Sequence, residues 1–203
     1  MYNNYIIIGD SITYGIGDTT TGGWSNMLKN YLVDKDNLKA CSNSIHIAGF
    51  PGATSSDILN KLDYIYNSFK DDFFHNIVIL AIGINDTQEF NGDSLISIKQ
   101  FCSNIKEIYK YFTQHNAELI IVGLTKIEYD DSYIWKLNDE TYNRDLQEII
   151  RFDNELERIC KENQIKYIPM QDILKKEDFA DGLHPNHNGY KKMYERILDN
   201  IND

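Results

Sequence analysis

The chain has 203 residues, 42% hydrophobic and 25% charged, which is ordinary globular material with enough apolar surface for a buried core and the length of one domain, residues 1–203. Its formal net charge of -11 and pI near 4.8 exclude a nucleic-acid-binding surface, which needs clustered positive charge, and a polybasic membrane anchor. No stretch approaches the roughly 20 apolar residues of a membrane span, and Met1-Tyr2-Asn3-Asn4-Tyr5 has no basic region leading into an apolar one, so the expected location is cytoplasmic.

Strand-like apolar runs alternate with helical patterns. Residues 5–8 read as a first strand, and residues 24–32 have helical spacing, with Trp24, Met27, Leu28, Tyr31 and Leu32 on one face. A short strand at 45–48 precedes a helix at 57–69, where Ile58, Leu62 and Ile65 are in phase. Residues 76–82 form a nearly continuous apolar run, the mark of a strand covered on both faces. A long amphipathic helix at 95–112 leads to a strand at 118–122. The connection 124–137 carries Tyr129, Tyr133 and Trp135 among acidic residues. Residues 138–163 read as one long helix whose charge run is a solvated face, residues 166–168 as a last strand, and Pro185 as the opening of a final helix. Strict alternation of strand and helix predicts a parallel sheet covered on both faces. The turns at Ser11, Gly52 and Asn85 and the connection after Leu124 all follow strand carboxyl ends, so they should share one edge of it. Cys41, Cys102 and Cys160 are far apart and odd in number, which predicts buried reduced thiols.

The chemistry-bearing residues lie near the two ends of the chain. Ile6-Ile7-Ile8-Gly9-Asp10-Ser11 is an apolar run that stops on a serine in a glycine-containing turn. A serine alcohol is a poor nucleophile unless a base stands beside it. Asp181 and His184 lie three positions apart in Asp181-Gly182-Leu183-His184-Pro185. A neutral imidazole, with a reference pKa of about 6.5, can accept the serine proton when a carboxylate holds its other nitrogen. Each piece alone also suits ordinary turns and a helix start. Asp181, His184 and His187 allow a metal reading, which lacks a further Cys or His ligand at suitable spacing. Gly15-Ile16-Gly17 lacks the third glycine of a dinucleotide turn.

Attack on an ester puts negative charge on the carbonyl oxygen, which must meet preorganised donors. Gly49-Phe50-Pro51-Gly52-Ala53-Thr54 offers a glycine N–H, and Gly83-Ile84-Asn85-Asp86 offers the Asn85 side-chain amide. Turn chemistry would explain either one. A Gly-x-Asn-Asp match has a chance frequency on the order of 10⁻⁴ per position, and four such pieces in one order on one sheet edge are poorly explained by turns.

Together these segments resemble the SGNH hydrolases, also called GDSL esterases/lipases. Gly9-Asp10-Ser11 is similar to the family's first block, Gly52 and its surroundings to the second, Gly83-Ile84-Asn85-Asp86 to the third and Asp181-Gly182-Leu183-His184-Pro185 to the last. Gly22-Gly23-Trp24 also fits, and the likeness spans essentially the whole chain. It implies a flavodoxin-like three-layer α/β/α sandwich with a five-stranded parallel sheet. It implies Ser11 as nucleophile, His184 as base and Asp181 as its orienting acid. The backbone N–H groups of Ser11 and Gly52, with the Asn85 side chain, would form the oxyanion hole. The absence of a Gly-x-Ser-x-Gly elbow counts against the larger α/β-hydrolase fold.

The expected activity is a serine esterase that cleaves carboxylic esters of small acyl groups, acetylated sugars among them, through an acyl-enzyme on Ser11, with no metal or cofactor. Its expected partner is a small-molecule ester. Ile12, Tyr129, Tyr133 and Trp135 are the candidates for the substrate pocket, although the aromatics would also suit a covered sheet edge. The same site would serve acyl transfer, thioester cleavage or lysophospholipid hydrolysis. The reading outside enzymes is a flavodoxin-like binding domain.

Overall fold

The computed structural model describes residues 2–35 and 43–201. In chain order the elements are β1 (Asn3–Gly9), α1 (Ser11–Tyr14), α2 (Gly23–Lys35), β2 (Ser44–Gly49), α3 (Ser55–Phe69), β3 (His75–Ala81), β4 (Gln88–Phe90), β5 (Asp93–Ser94), α4 (Ile98–Gln114), β6 (Glu118–Val122), β7 (Ser132–Leu137), β8 (Glu140–Asp145), α5 (Leu146–Asn163), β9 (Lys166–Ile168) and α6 (His187–Ile201). Five strands form an all-parallel sheet in the order β2-β1-β3-β6-β9. Numbered among themselves, these strands run 2-1-3-4-5, the flavodoxin-like order.

The step from β1 to β2 crosses the sheet one way, and every later step goes the other way. Right-handed crossovers therefore put α2 on one face and α3, α4 and α5 on the opposite face. The packing agrees: α2 lies against α6, while α3, α4 and α5 pack side by side. Sandwiched between these layers, Ile6, Ile7 and Ile8 of β1 and Val78, Ile79 and Leu80 of β3 are completely buried. Their uninterrupted apolar pattern is what a strand with two covered faces requires. Burying each such side chain contributes about 1.5–3 kcal/mol.

Register positions the site. Gly9 pairs with Gly49 on one side and with Ala81 on the other. The turns that follow these residues therefore leave the same edge of the sheet, next to one another. The edge at β1 is also where the chain reverses its direction of travel, the place where ligands bind in open α/β sheets.

Three sequence expectations need correction. Residues 138–163 are not one helix: the chain first makes a hairpin, and α5 begins only after Asp145, whose carboxylate caps it by accepting from the backbone N–H groups of Gln147 and Glu148. The connection 124–137 is not irregular throughout, because it holds β7. Together with β4 and β5, these strands form a second, antiparallel sheet of four strands, ordered β5-β4-β8-β7. Cys102 is half-buried, Cys160 is buried, both are free thiols, and Cys41 lies outside the described residues. Smaller shifts affect helix starts. Leu95 precedes α4, which Ser97 caps, and α6 begins after Pro185, with the Asn186 side chain accepting from the N–H groups of Asn188 and Gly189. Among the described residues no helix is long and apolar enough to cross a membrane.

Candidate active site

Ser11 opens the one-turn helix α1 directly after β1. The Asp10 carboxylate caps this turn by accepting from the Ile12 N–H at 2.9 Å, which sets the serine at the helix start. The turn ends at Gly15 in the left-handed region, φ 95°, where a Cβ would sit 2.1 Å from the Gly22 carbonyl oxygen. This close approach fits only glycine and holds α1 against the start of α2.

The base comes from the far end of the chain. Residues 179–185 form a tight loop closed by a bridge between Phe179 and Pro185 and by Ala180 N–H donating to the His184 carbonyl at 2.8 Å. Within it, His184 Nε2 lies 2.9 Å from Ser11 Oγ, and His184 Nδ1 lies 2.7 Å from Asp181 Oδ2. An ionised carboxylate can only accept, so Nδ1 carries the proton and Nε2 turns its lone pair to the serine hydroxyl. The other oxygen, Asp181 Oδ1, accepts from the N–H groups of Leu183 and His184 at 3.0 and 2.8 Å. Burial opposes the charge on Asp181, but these backbone donors and the imidazole outweigh it and hold the carboxyl below its ordinary value. His187 does not join this group and faces Asp18 at 3.3 Å. Such a chain of contacts can remove a proton from an alcohol and return it to a leaving group.

Two neighbouring turns face the serine. Residues Phe50 to Ala53 make a reverse turn, with Ala53 N–H donating to the Phe50 carbonyl at 3.0 Å. Proline at its second position and glycine at its third follow the type II pattern, and Gly52 has the required φ of 78°. Asn85 follows β3 and donates from Nδ2 to the Ala53 carbonyl at 3.0 Å. The Asp86 carboxylate binds the N–H and the hydroxyl of Ser55 at the start of α3. Burial pushes this carboxyl up to about 6 despite the Ser55 donors. Asn85 and Asp86 thus staple the two turns into one piece.

Ser11, Gly52, Asn85 and His184 line a cavity of about 390 Å³. Tyr133, Trp135, Gln88, Leu95 and Arg144 are also part of its wall. Two of the four pocket candidates, Tyr133 and Trp135, therefore line this cavity. Ile12 is not at the cavity, because its side chain points into the core and is 7% exposed. Tyr129 stacks on Tyr133 but stands outside the cavity, against Gly182. A larger hollow of about 990 Å³ beside β2 contains none of the Ser11, Asp181 and His184 group.

Sequence reasoning missed Arg144 and Gln88, which face each other across β8 and β4. Arg144 is 3% exposed, lies over the Trp135 ring at 4.8 Å, and donates to the side-chain oxygens of Asn85 and Gln88, each at 2.7 Å. Burial pulls its guanidinium down to about 10, against the attraction of Asp10, Tyr133 and Asp181. The hairpin tips carried a signal for this sheet. Asn91-Gly92 and Asn138-Asp139 are two-residue links, with positive φ at Asn91, Gly92 and Asn138.

The model of the GDSL-like lipase/acylhydrolase family matches residues 7–192. The chain belongs to this family. As a GDSL-like acylhydrolase it is a hydrolytic enzyme with an α/β fold. No curated protein matches the GDSL-like chain in sequence. Solved structures do match in fold. An α/β hydrolase from the metagenome of Lake Arreo, Spain, is 16% identical with a TM-score of 0.75, over 98% of this chain and 94% of that one. An acetyl-xylooligosaccharide esterase from Geobacillus is 15% identical with a TM-score of 0.75, over 98% and 94%. The psychrotrophic esterase EstA from Pseudoalteromonas is 20% identical with a TM-score of 0.70, over 98% and 96%.

Asp10, beneath the serine, makes a test of its own. Burial pushes its carboxyl from 3.8 up to about 7, against its bond from the Ile12 N–H and the charge of Arg144. Between these values the folded chain keeps a proton that the unfolded chain has released. Its contribution to stability therefore falls as pH rises through that window and is constant above it. Asp10→Asn cannot titrate. Urea denaturation across this range should show a stability difference, mutant minus wild type, that grows with pH up to about 7. A difference independent of pH would mean Asp10 is ionised throughout.

Proposed function

We propose that this single-domain chain is a serine esterase that hydrolyses carboxylic esters of small acyl groups through an acyl-enzyme on Ser11. The observation that carries this reading is the run of contacts from Ser11 Oγ to His184 Nε2, 2.9 Å, and from His184 Nδ1 to Asp181 Oδ2, 2.7 Å. In this mechanism Ser11 Oγ attacks the acyl carbon as His184 takes its proton. The N–H groups of Ser11 and Gly52 and the Asn85 amide receive the negative carbonyl oxygen. The tetrahedral species collapses as His184 passes the proton to the leaving alcohol. Water, deprotonated by His184, then attacks the acyl-enzyme and releases the acid and free Ser11. Metal and cofactor have no part in these steps.

The cavity of about 390 Å³ lies toward the small end for ligand pockets, and its wall combines polar groups with Tyr133 and Trp135. This supports short acyl groups, and the aromatic wall suits an acetylated sugar as the alcohol. The listening experiment is hydrolysis of p-nitrophenyl esters from acetate to decanoate. Acetate and butyrate should be turned over best, with kcat/KM falling as the chain lengthens. Equal or rising rates toward decanoate would overturn the small-acyl reading.

A further inference from the structure

We propose that Arg144 is a positioning residue for Asn85, fixing and polarising its amide toward the cavity, an inference that rests on the reading of Asn85 as an oxyanion donor. An amide side chain can sit either way round. Here its two partners choose for it. A guanidinium can only donate, so the Asn85 atom 2.7 Å from Arg144 Nη2 is the carbonyl oxygen. The Ala53 carbonyl can only accept, so the atom 3.0 Å from it is the nitrogen. One N–H of Nδ2 serves Ala53, and the other is left for a ligand in the cavity that Asn85 lines. A charged donor on the carbonyl oxygen also draws electron density from the amide nitrogen and strengthens the remaining N–H as a donor.

Arg144 is itself held in place. Its Nε donates to the Ile84 carbonyl at 3.2 Å, Nη2 also reaches Gln88 Oε1, and its plane rests on Trp135. Among the described residues no carboxylate lies within ion-pair distance of it. Burying a guanidinium without such a partner is costly. A positive charge bonded to the back of an oxyanion donor is useful where negative charge develops.

The test is a double-mutant cycle with p-nitrophenyl acetate, using Arg144→Met, Asn85→Ala and the double variant, with thermal melts to establish folding. Arg144→Met should lower kcat about 10²-fold and leave KM within about 3-fold. In the Asn85→Ala background the same change should cost less than about 3-fold, because the group it acts through is gone. Equal losses in both backgrounds would overturn the proposal. So would a loss in KM alone, which would make Arg144 a contact for the substrate. Should Arg144→Met not fold, Arg144→Gln carries the same cycle. A crystal structure of the Arg144 variant gives a readout independent of turnover: the Asn85 amide should turn or split between two orientations, and an unmoved amide overturns the idea. Failure of the parent reading looks different, since Asn85→Ala alone would then leave kcat unchanged.

Discussion

Replacing Ser11 with alanine is expected to lower kcat for p-nitrophenyl acetate by about 10⁵-fold or more while the fold is retained. The substitution removes one oxygen at a residue that is 5% exposed and leaves the backbone turn capped by Asp10. His184 Nε2 loses its partner at 2.9 Å, and the acyl group has no covalent route left. Residual activity would come from the proposed donors at Gly52 and Asn85, which would still favour attack by water. Steady-state kinetics beside circular dichroism would check this. A loss of less than tenfold in a folded variant would sink the serine mechanism.

Asp181→Asn should cost about 10⁴-fold in kcat, although it changes one atom. The reason lies in how the carboxylate is held. Oδ1 accepts from two backbone N–H groups, Leu183 and His184, and asparagine can satisfy both only with its own oxygen. Its NH₂ must then face His184 Nδ1, where the second carboxylate oxygen was. Nδ1 is forced to accept, the ring proton moves to Nε2, and the base turns an N–H toward Ser11 instead of a lone pair. Structure and melting temperature should hardly change. A variant with kcat within tenfold of wild type would mean that His184 works without an orienting acid.

The parts of the molecule that the sequence revealed are those where chemistry and periodicity agree. The run Ile6-Ile7-Ile8 and the stretch Val78-Ile79-Leu80 read as buried strands, because each is a short, β-branched-rich run with every side chain apolar, and each is completely buried. Ser11, Gly52 and Asn85 stand out as unusual residues just after strands and His184 as a histidine three positions after an aspartate, and the structure brings these four together at one cavity. The antiparallel sheet was not legible in the same way. Glu140-Thr141-Tyr142-Asn143-Arg144-Asp145 is polar enough to pass for the first turns of the charged helix that follows. Its strand character comes from cross-strand partners: Tyr133 opposite Arg144 and Trp135 opposite Tyr142, residues brought into register by the hairpin. Tyr133 and Trp135, offered as pocket candidates on their aromatic character alone, both line the cavity because alternate residues of β7 share a face. Tyr129 precedes the strand and lies against Gly182, outside that cavity.

Ser11 and His184 are 173 positions apart, and the loop that delivers the histidine is secured by short bonds, including Glu128 N–H to the Gly182 carbonyl at 2.9 Å. The turns carrying Gly52 and Asn85 follow instead β2 and β3, the two strands that flank β1, and are stapled to each other. In the proposed mechanism the cradle for an acyl group is thus built into the sheet, while the group that would arm the alcohol arrives separately. A chain with a finished sheet and an undocked loop would possess a shaped receptor and an inert hydroxyl. On the proposed mechanism, turnover would therefore report that the loop bearing His184 has docked on the sheet.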